Sequence, residues 1–203
     1  MKIKIRIAII SLGIFLLCLA TIGGVYFFKI HNNSDPIKEI IVEGNYAGYD
    51  SETKMSIAAD LILYGSPVDN FEDSKHVNNY SDGILADFYT LTKFKIKNII
   101  KKTAGLNIKK GNILDVLEPL TLIDDNNGKR ILEIEGYKPM EKGTNYVIYL
   151  KKNDVGDYCV INMSNGRFNI DNDSDNMNSR HKAIKDDVLL RYSKEFSDSR
   201  GNN

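Results

Sequence analysis

The sequence predicts a mainly β fold, a small sandwich or barrel, with a helical segment towards each end of the chain. Three observations carry this prediction. Short apolar runs typical of strands recur between residues 58 and 171, separated by turns rich in Gly and Asn. Residues 7–28 form an uncharged apolar run, and four apolar residues recur at four-residue steps from Ile184 to Phe196. Too few helical segments lie between the strands for a parallel α/β sheet.

The uncharged run at residues 7–28 predicts a transmembrane anchor. Its 22 residues, at about 1.5 Å per residue, suffice to cross a hydrocarbon core of about 30 Å. The alternative is a cleaved signal peptide, whose apolar core is shorter and ends at a small-x-small site. The sequence offers only Ile22-Gly23-Gly24 at that position, and apolar residues continue to Phe28. We therefore favour an uncleaved anchor.

Basic residues flank the predicted anchor unequally. Three of them lie within residues 1–6, whereas Lys29 alone follows the run at once. The positive-inside rule therefore places residues 1–6 in the cytoplasm and the residues after about 30 outside. Residues 1–29 hold four of the 27 basic and none of the 27 acidic residues, which leaves the remainder with a net charge of −4. We expect a single-pass protein of the cell membrane, and its acidic outer part argues against binding intracellular nucleic acid.

The extracellular part of the chain divides by composition. Residues 29–49 are predicted to form a linker with a first strand in "IKEIIVEG", and residues 50–171 an extracytoplasmic barrel domain. A short helix begins the domain, with Asp50 or Ser51 as its N-cap. Residues 172–203 form a polar tail with a helix at about 180–196, and its single apolar stripe predicts docking on the barrel.

Five segments are predicted to form the strands of one closed or nearly closed barrel. They are residues 58–68, 88–100, 131–136, 145–151 and 158–170. Asn165-Gly166 suits a two-residue hairpin turn within the last of them. "ILDVLEPLTLI" is predicted to be a strand broken by Pro119, and the polar stretch at 69–83 a loop. The side chains expected to be buried are Leu61, Leu63, Phe94, Ile96, Ile148 and Leu150.

Four stretches of this region resemble a known family. "AADLILYGSPV", "YTLTKFKIKNIIK", "GYKPMEKGTNYVIYLKK" and "YCVINMSNGRFNID" are similar, in order, to segments of membrane-anchored surface proteins of Gram-positive bacteria. Those proteins carry an OB-like barrel related to the netrin-like domain and the tissue inhibitors of metalloproteinases. The resemblance covers roughly residues 58–171 and implies an OB-like (netrin-like) β-barrel. "KKTAG" stands where the family has "KG". The exposed N-terminal cysteine that chelates zinc in the inhibitors is missing, so that activity is not expected.

No catalytic or cofactor motif stands out, and we expect neither a cofactor nor a metal. His31, His76 and His181 lack the spacing of metal-binding motifs. Cys18 lies within the predicted anchor and Cys159 in the outer domain, so these two are not expected to form a disulfide.

One acidic stretch resembles the start of a calcium-binding loop. Asp171, Asp173 and Asp175 have the spacing that begins an EF-hand. Asn176 and Lys182 stand where that loop requires Gly and Glu, so we interpret the stretch as a polar turn region.

A basic segment from Phe88 to Leu114 is the best functional clue. It contains seven lysines, interleaved aromatic residues and no acid. On an OB-like barrel such a segment can form a groove for a polyanion. The competing hypothesis is cross-strand pairing of Lys95 and Lys97 with Glu133 and Glu135, which we favour for those two lysines. The remaining candidate patch for an anionic ligand comprises Lys101, Lys102, Lys109, Lys110 and Tyr89.

Together these features predict a membrane-anchored extracytoplasmic binding or accessory module without catalytic activity. Its expected partners, besides the membrane, are an envelope polymer or another surface protein. The alternative is an envelope-acting enzyme with a carboxylate or metal site. Asp69, Glu72 and Asp73 supply carboxylates for such a site, but in no recognisable arrangement.

Overall fold

The computed structural model describes residues 37–126, 128–172 and 178–197. The strands are β1 (Lys38–Val42), β2 (Leu61–Pro67), β3 (Lys75–Ser81), β4 (Ile84–Lys102), β5 (Ile113–Glu118), β6 (Leu120–Asp125), β7 (Gly128–Ile134), β8 (Tyr146–Lys152), β9 (Tyr158–Val160) and β10 (Arg167–Asn169). The helices are α1 (Glu52–Ala58) and α2 (Ser179–Ser197). Phe71–Asp73 and Met163–Gly166 form 3₁₀ turns.

Five of these strands close into a barrel. Their order around the ring is β2, β4, β5, β9 and β8, and β8 pairs again with β2. The β5–β9 pair is parallel and the other four pairs are antiparallel. β10 pairs with the first part of β8, on the same edge on which β9 pairs with the last part of that strand. β3 pairs with the first half of β4. The prediction of a mainly β fold with a closed barrel is therefore confirmed.

A second sheet contains three strands in the order β1, β7 and β6. The prediction that residues 131–136 form a barrel strand is wrong, because β7 lies in this second sheet and β5 takes its place in the barrel. Pro119 explains the change of sheet. It has no N–H to donate, so the ladder is interrupted between β5 and β6 and the two strands find different partners.

The polar stretch at 69–83 was predicted to be a loop. This prediction is wrong in part, because the stretch contains β3. β3 and β4 form a hairpin through Asp82-Gly83. Both residues have positive φ angles, 51° and 79°, which an Asp-Gly pair supplies at low cost in a tight hairpin. The alternation of the strand is hard to recognise because its exposed residues are mostly polar.

The predicted hairpin at 158–170 is also wrong. β9 and β10 do not pair with each other; both pair with β8 and are joined by the 3₁₀ turn Met163–Gly166. Gly166 is needed there for close packing, since a Cβ at this position would lie 1.6 Å from the carbonyl oxygen of Ile161.

The barrel interior is a packed hydrophobic core. All six side chains that were expected to be buried lie there and are at most 1% exposed, which confirms the prediction. Their inward positions alternate along β2 and β8, as the two-residue period of a strand requires.

A second core lies between the outer wall of the barrel and the two helices. Ile62 and Tyr64 of β2 and Val147 and Tyr149 of β8 pack there against α1 and α2. β2 and β8 are therefore buried on both faces, which explains why each reads as a continuous apolar run. The four apolar residues of α2 at four-residue steps all face this core, so the predicted docking of the C-terminal helix is confirmed.

Two further expectations concern the start of the chain. β1 confirms the first strand predicted within residues 29–49, and Ser51 is the N-cap of α1, its hydroxyl accepting a 3.4 Å bond from the Lys54 N–H. The predicted anchor and the predicted cytoplasmic residues 1–6 lie outside the described residues. Among the helices that are described, none has both the length and the apolar character needed to cross a membrane.

Candidate binding site at the mouth of the barrel

The predicted patch residues do not all lie together. Tyr89 is in the first half of β4, where it pairs with Val77 of β3. Lys101 and Lys102 end the same strand, where they pair with Ile62 and Leu61. The aromatic ring and the lysines are therefore held near different ends of one long strand.

Lys101 has a structural partner that sequence reasoning did not anticipate. Its Nζ donates to the carbonyl oxygens of Ser56, at 2.7 Å, and Ala59, at 2.5 Å, at the end of α1. A positive charge at this end of a helix is favourable, because the last carbonyl groups carry partial negative charge. These hydrogen bonds connect α1 to the barrel wall. They also occupy the Lys101 ammonium group, which is therefore poorly placed to bind an anion.

The other three patch lysines are available at one end of the barrel. Among the described residues, the Nζ of Lys102 donates only to the Leu106 carbonyl oxygen, at 3.5 Å. Lys109 and Lys110 are exposed in the loop between β4 and β5, and neither forms an ion pair within the described part of the chain.

The predicted pairing of Lys95 and Lys97 with Glu133 and Glu135 is wrong. β4 and β7 belong to different sheets, so these side chains never face one another. The Lys97 Nζ donates to Asn145 Oδ1, while Lys95 stays exposed.

The two glutamates have their own partners. Buried Glu133 forms a 3.2 Å ion pair with Lys138, and Glu135 accepts a 3.2 Å bond from the Gly44 N–H. The alternating charges along the two strands did not predict the partners of these glutamates, because the order of strands in the sheets depends on the topology of the whole domain.

A cleft of about 380 Å³ opens at the same end of the barrel. It lies between the start of β2, the loop after β4 and the β8–β9 turn. Its lining residues are Asp60, Thr103, Ala104, Gly105, Leu106, Lys152 and Tyr158.

The register of the strands explains why charged side chains stand at this mouth. Lys102 pairs with core-facing Leu61, and Lys152 pairs with core-facing Tyr158. Directly paired residues project to the same side of a sheet, so both lysines continue the inward-facing rows beyond the hydrophobic core. Small β-barrels commonly bind ligands at their mouths.

Three polar groups in the cleft keep hydrogen-bonding capacity that no described residue satisfies. The Lys152 Nζ lies 6.0 Å from the centroid of the Tyr158 ring and forms no ion pair. Asp60 accepts a 2.9 Å bond from the Lys152 backbone N–H through Oδ2, while its Oδ1 has no donor. The Tyr158 hydroxyl has no hydrogen-bond partner either. Burial, followed by the charge of Asp60, raises the pKa of Tyr158, so the phenol stays protonated and can donate a hydrogen bond to a ligand.

A different set of polar groups is enclosed inside the barrel. The Glu118 carboxylate accepts hydrogen bonds from Thr92 Oγ1, from the Tyr137 hydroxyl at 2.8 Å and from the Met140 N–H at 3.1 Å. Burial raises its pKa, whereas these donors and the charge of Arg167 act in the opposite direction.

The Arg167 guanidinium carbon lies 5.2 Å from the Tyr137 ring centroid and 5.6 Å from that of Tyr146. Because both charged groups are fully buried and held by neighbours, we interpret this cluster as structural. A glutamate within the apolar run before Pro119 was the only sequence signal for it.

A second cleft, of about 310 Å³, lies beside α1 and α2 and is lined by Glu52, Thr53, Asp187, Leu190 and Arg191. The charges of Glu52 and Arg191 pair across it at 2.7 Å. This cleft therefore offers fewer unpaired polar groups than the barrel mouth.

The side chains that could coordinate a metal ion do not lie together. Within residues 37–126, 128–172 and 178–197, no group of three or more His, Cys, Asp or Glu side chains is arranged to hold a metal ion. Asp171 accepts bonds from the backbone and side chain of Asn145, and burial raises the pKa of the Cys159 thiol. His31, Cys18, Asp173 and Asp175 lie outside the described residues.

No family model, curated protein or solved structure matches this chain. The mouth of the barrel is therefore the candidate site on its own geometry: an open cleft in which the Lys152 ammonium, Asp60 Oδ1 and the Tyr158 hydroxyl have no hydrogen-bond partner among the described residues.

Proposed function

We propose that this protein is a single-pass, membrane-anchored binding module whose barrel faces the outside of the cell and has no catalytic activity. The uncharged run at residues 7–28 and its basic N-terminal flank support the anchor and its orientation. The resemblance to surface proteins of Gram-positive bacteria supports the same location. The ligand in this proposal is an anionic polymer of the cell envelope.

The strand order supports an OB-like barrel. Numbered along the chain, the five barrel strands are β2, β4, β5, β8 and β9, and their order around the ring is 1-2-3-5-4-1. The third and fifth strands are parallel, as in an OB barrel. Barrels of this class bind extended polymers through their walls and loops. The netrin-like resemblance is compatible with this order and remains part of the proposal.

The cleft at the barrel mouth is the observation that carries the binding function. Lys152 lines it, Lys102 immediately precedes its lining segment Thr103–Leu106, and Lys109 and Lys110 lie in the loop that follows β4. Grouped lysines without acidic partners attract anions at long range, and this attraction weakens as salt is added.

The binding proposal is tested with the full-length chain in phosphatidylcholine nanodiscs and purified anionic envelope polymers. Replacing Lys102, Lys109, Lys110 and Lys152 together by Gln should weaken binding about tenfold at low salt, since each exposed contact contributes only a few tenths of a kcal/mol. A matched variant carries the same charge change at four other exposed lysines, namely Lys75, Lys129, Lys142 and Lys182. Equal loss in both variants, or binding that is insensitive to salt, would contradict a site at the mouth.

The proposed topology has its own test. Protease added to intact protoplasts should digest the barrel domain, and sequencing of the purified protein should find an N-terminus before residue 7. Protection of the domain until lysis would contradict the orientation. A mature N-terminus near residue 25 would contradict the uncleaved anchor.

A further inference from the structure

The cleft offers a ligand both hydrogen-bond donors and an acceptor. The Lys152 Nζ and the Tyr158 hydroxyl can donate, whereas the Asp60 carboxylate can only accept. A simple anion would satisfy the first two groups and be repelled by the third. The arrangement therefore favours a ligand that carries a negative charge and a hydroxyl group a few ångströms apart.

The type of basic residue at this cleft indicates which kind of anion the cleft suits. Lys152 lines the cleft and Lys102 immediately precedes the lining segment Thr103–Leu106, while no arginine contributes to the lining. Arginine pairs with a planar carboxylate through two parallel bonds, whereas lysine acts as a point charge that suits phosphate. The volume of about 380 Å³ is near the lower end of the range for small-molecule sites, about 300–1,000 Å³, so the cleft suits one small repeating unit.

We infer that the mouth of the barrel binds a polyol phosphate, with the phosphate at Lys152 and Lys102 and a neighbouring hydroxyl donating to Asp60. The Tyr158 hydroxyl donates to the phosphate from the side of the barrel core. This inference rests on the proposed binding function and specifies the ligand class for the same site. A polyol phosphate can be part of a polymer or of a lipid headgroup, and the chemistry at the cleft is the same for both.

The test uses ¹⁵N-labelled full-length chain in phosphatidylcholine nanodiscs, titrated with glycerol 1-phosphate, inorganic phosphate and glycerol. Glycerol 1-phosphate should shift the amide signals of Asp60, Thr103–Leu106, Lys152 and Tyr158. We expect it to bind roughly tenfold more tightly than inorganic phosphate, because one additional hydrogen bond to a charged group is gained. Equal affinity for the two phosphates, or signal shifts confined to other residues, would overturn the inference.

Four variants separate the roles of these groups. Lys152→Gln should weaken binding of both phosphates, while Lys151→Gln should change neither, since Lys151 projects to the opposite face of the same strand. Asp60→Asn should reduce the preference for glycerol 1-phosphate, whereas Tyr158→Phe should weaken binding of both phosphates, because the Tyr158 hydroxyl donates to the phosphate that both ligands share. Tyr158→Phe keeps the ring in the core, so its fold is preserved. Equal effects of Lys151→Gln and Lys152→Gln would overturn the inference.

Two further arms identify the source of the ligand. Phosphatidylglycerol placed in the nanodisc should shift the same amides if a lipid headgroup is bound, and a soluble glycerol phosphate oligomer should do so if a polymer is bound. Binding to envelope polymers that depends on the loop lysines but not on Lys152, Asp60 or Tyr158 would overturn this inference and leave the proposed function intact. Failure of the wild-type chain to bind any envelope polymer would instead contradict the proposed function.

Discussion

The hydroxyl of Tyr192 donates a 2.6 Å hydrogen bond to Glu52 Oε1, which joins the C-terminal helix to the helix that begins the barrel domain. The Tyr149 hydroxyl donates to the same oxygen at 3.1 Å, and Arg191 pairs with Oε2 at 2.7 Å. Tyr192 also marks a kink in α2, with φ −112° and ψ 17°. One buried carboxylate therefore fixes α1, α2 and β8 relative to one another.

Replacing Tyr192 by Phe tests this contact. The ring stays in the outer core, so the loss is that of one hydrogen bond to a charged acceptor, and the free energy of unfolding should fall by about 1.5–3 kcal/mol. Urea denaturation of the full-length chain in detergent measures the change. Tyr80→Phe is the matched control, because Tyr80 is 59% exposed, and it should change stability by less than about 0.5 kcal/mol. Similar values for the two variants would mean that the Tyr192–Glu52 bond contributes nothing.

The charge of Glu118 is expected to be essential inside the barrel. Glu118→Gln keeps the shape of the side chain but removes its negative charge and replaces one accepting oxygen by an NH₂ group, which cannot accept a hydrogen bond. A buried donor that loses its acceptor typically costs about 1–3 kcal/mol, so we expect a loss of at least that order in urea denaturation. Glu141→Gln, at an exposed site, is the control and should be nearly neutral. A small effect of Glu118→Gln would contradict a requirement for the carboxylate at this position.

His76 should make stability depend on pH. Its Nδ1 accepts a 3.3 Å bond from the Leu122 N–H, and burial lowers its pKa below the ordinary 6.5, against smaller opposing effects of the Phe71 backbone and the Glu72 charge. The unfolded chain therefore binds a proton at a higher pH than the folded chain does. Stability should fall as the pH drops below about 6.5, by at most about 1.4 kcal/mol per pH unit, until the folded-state pKa is passed.

The control for this pH dependence is His76→Gln, measured by urea denaturation at pH 7.5 and pH 5.5. The variant should lose less stability than the wild type between these two values, since one titrating group has been removed. An unchanged difference would assign the pH dependence to other groups.

Gly65 should not tolerate a side chain. A Cβ at this position would lie 2.1 Å from the Lys95 carbonyl oxygen and 2.6 Å from the Phe94 ring, within the β2–β4 pair. Gly65→Ala should therefore lower the free energy of unfolding by about 3 kcal/mol, or prevent folding, because the obstacle is backbone. Gly48→Ala is the matched control, with no atom within 4 Å of its Cβ. Equal stability of the two variants would contradict the described β2–β4 packing.

One residue of the candidate site, Lys152, has a signal in the sequence, namely the two-residue period of β8. The inward residues of β8 are Tyr146, Ile148 and Leu150, and the same period of two places Lys152 next in the inward row. Extending that period would have predicted a lysine at the mouth of the barrel. Lys102 was predicted as a patch residue and does lie at the mouth. Its pairing with Leu61 of β2 was not predictable from the sequence of β4 alone.

Other features required long-range pairing that no local pattern specifies. The alternation of Lys95 with Glu133 was compatible with an antiparallel pair, but strand order is set by the closure of the barrel and by Pro119, which sends β6 to a different sheet. Likewise, nothing near Lys101 in the sequence indicates that it caps α1, since the helix lies more than forty residues earlier.

The sequence by itself determined the local character of this protein. It specified the mainly β fold, the apolar character of β2, a helix N-cap at Asp50 or Ser51 and the apolar face of α2, because each depends on the spacing of neighbouring residues. Only the tertiary structure decided which strands close the barrel and which residues meet at its mouth. Asp60, Lys152 and Tyr158 belong to segments that are distant along the chain, and ring closure through the β5–β9 and β8–β9 pairs brings them together.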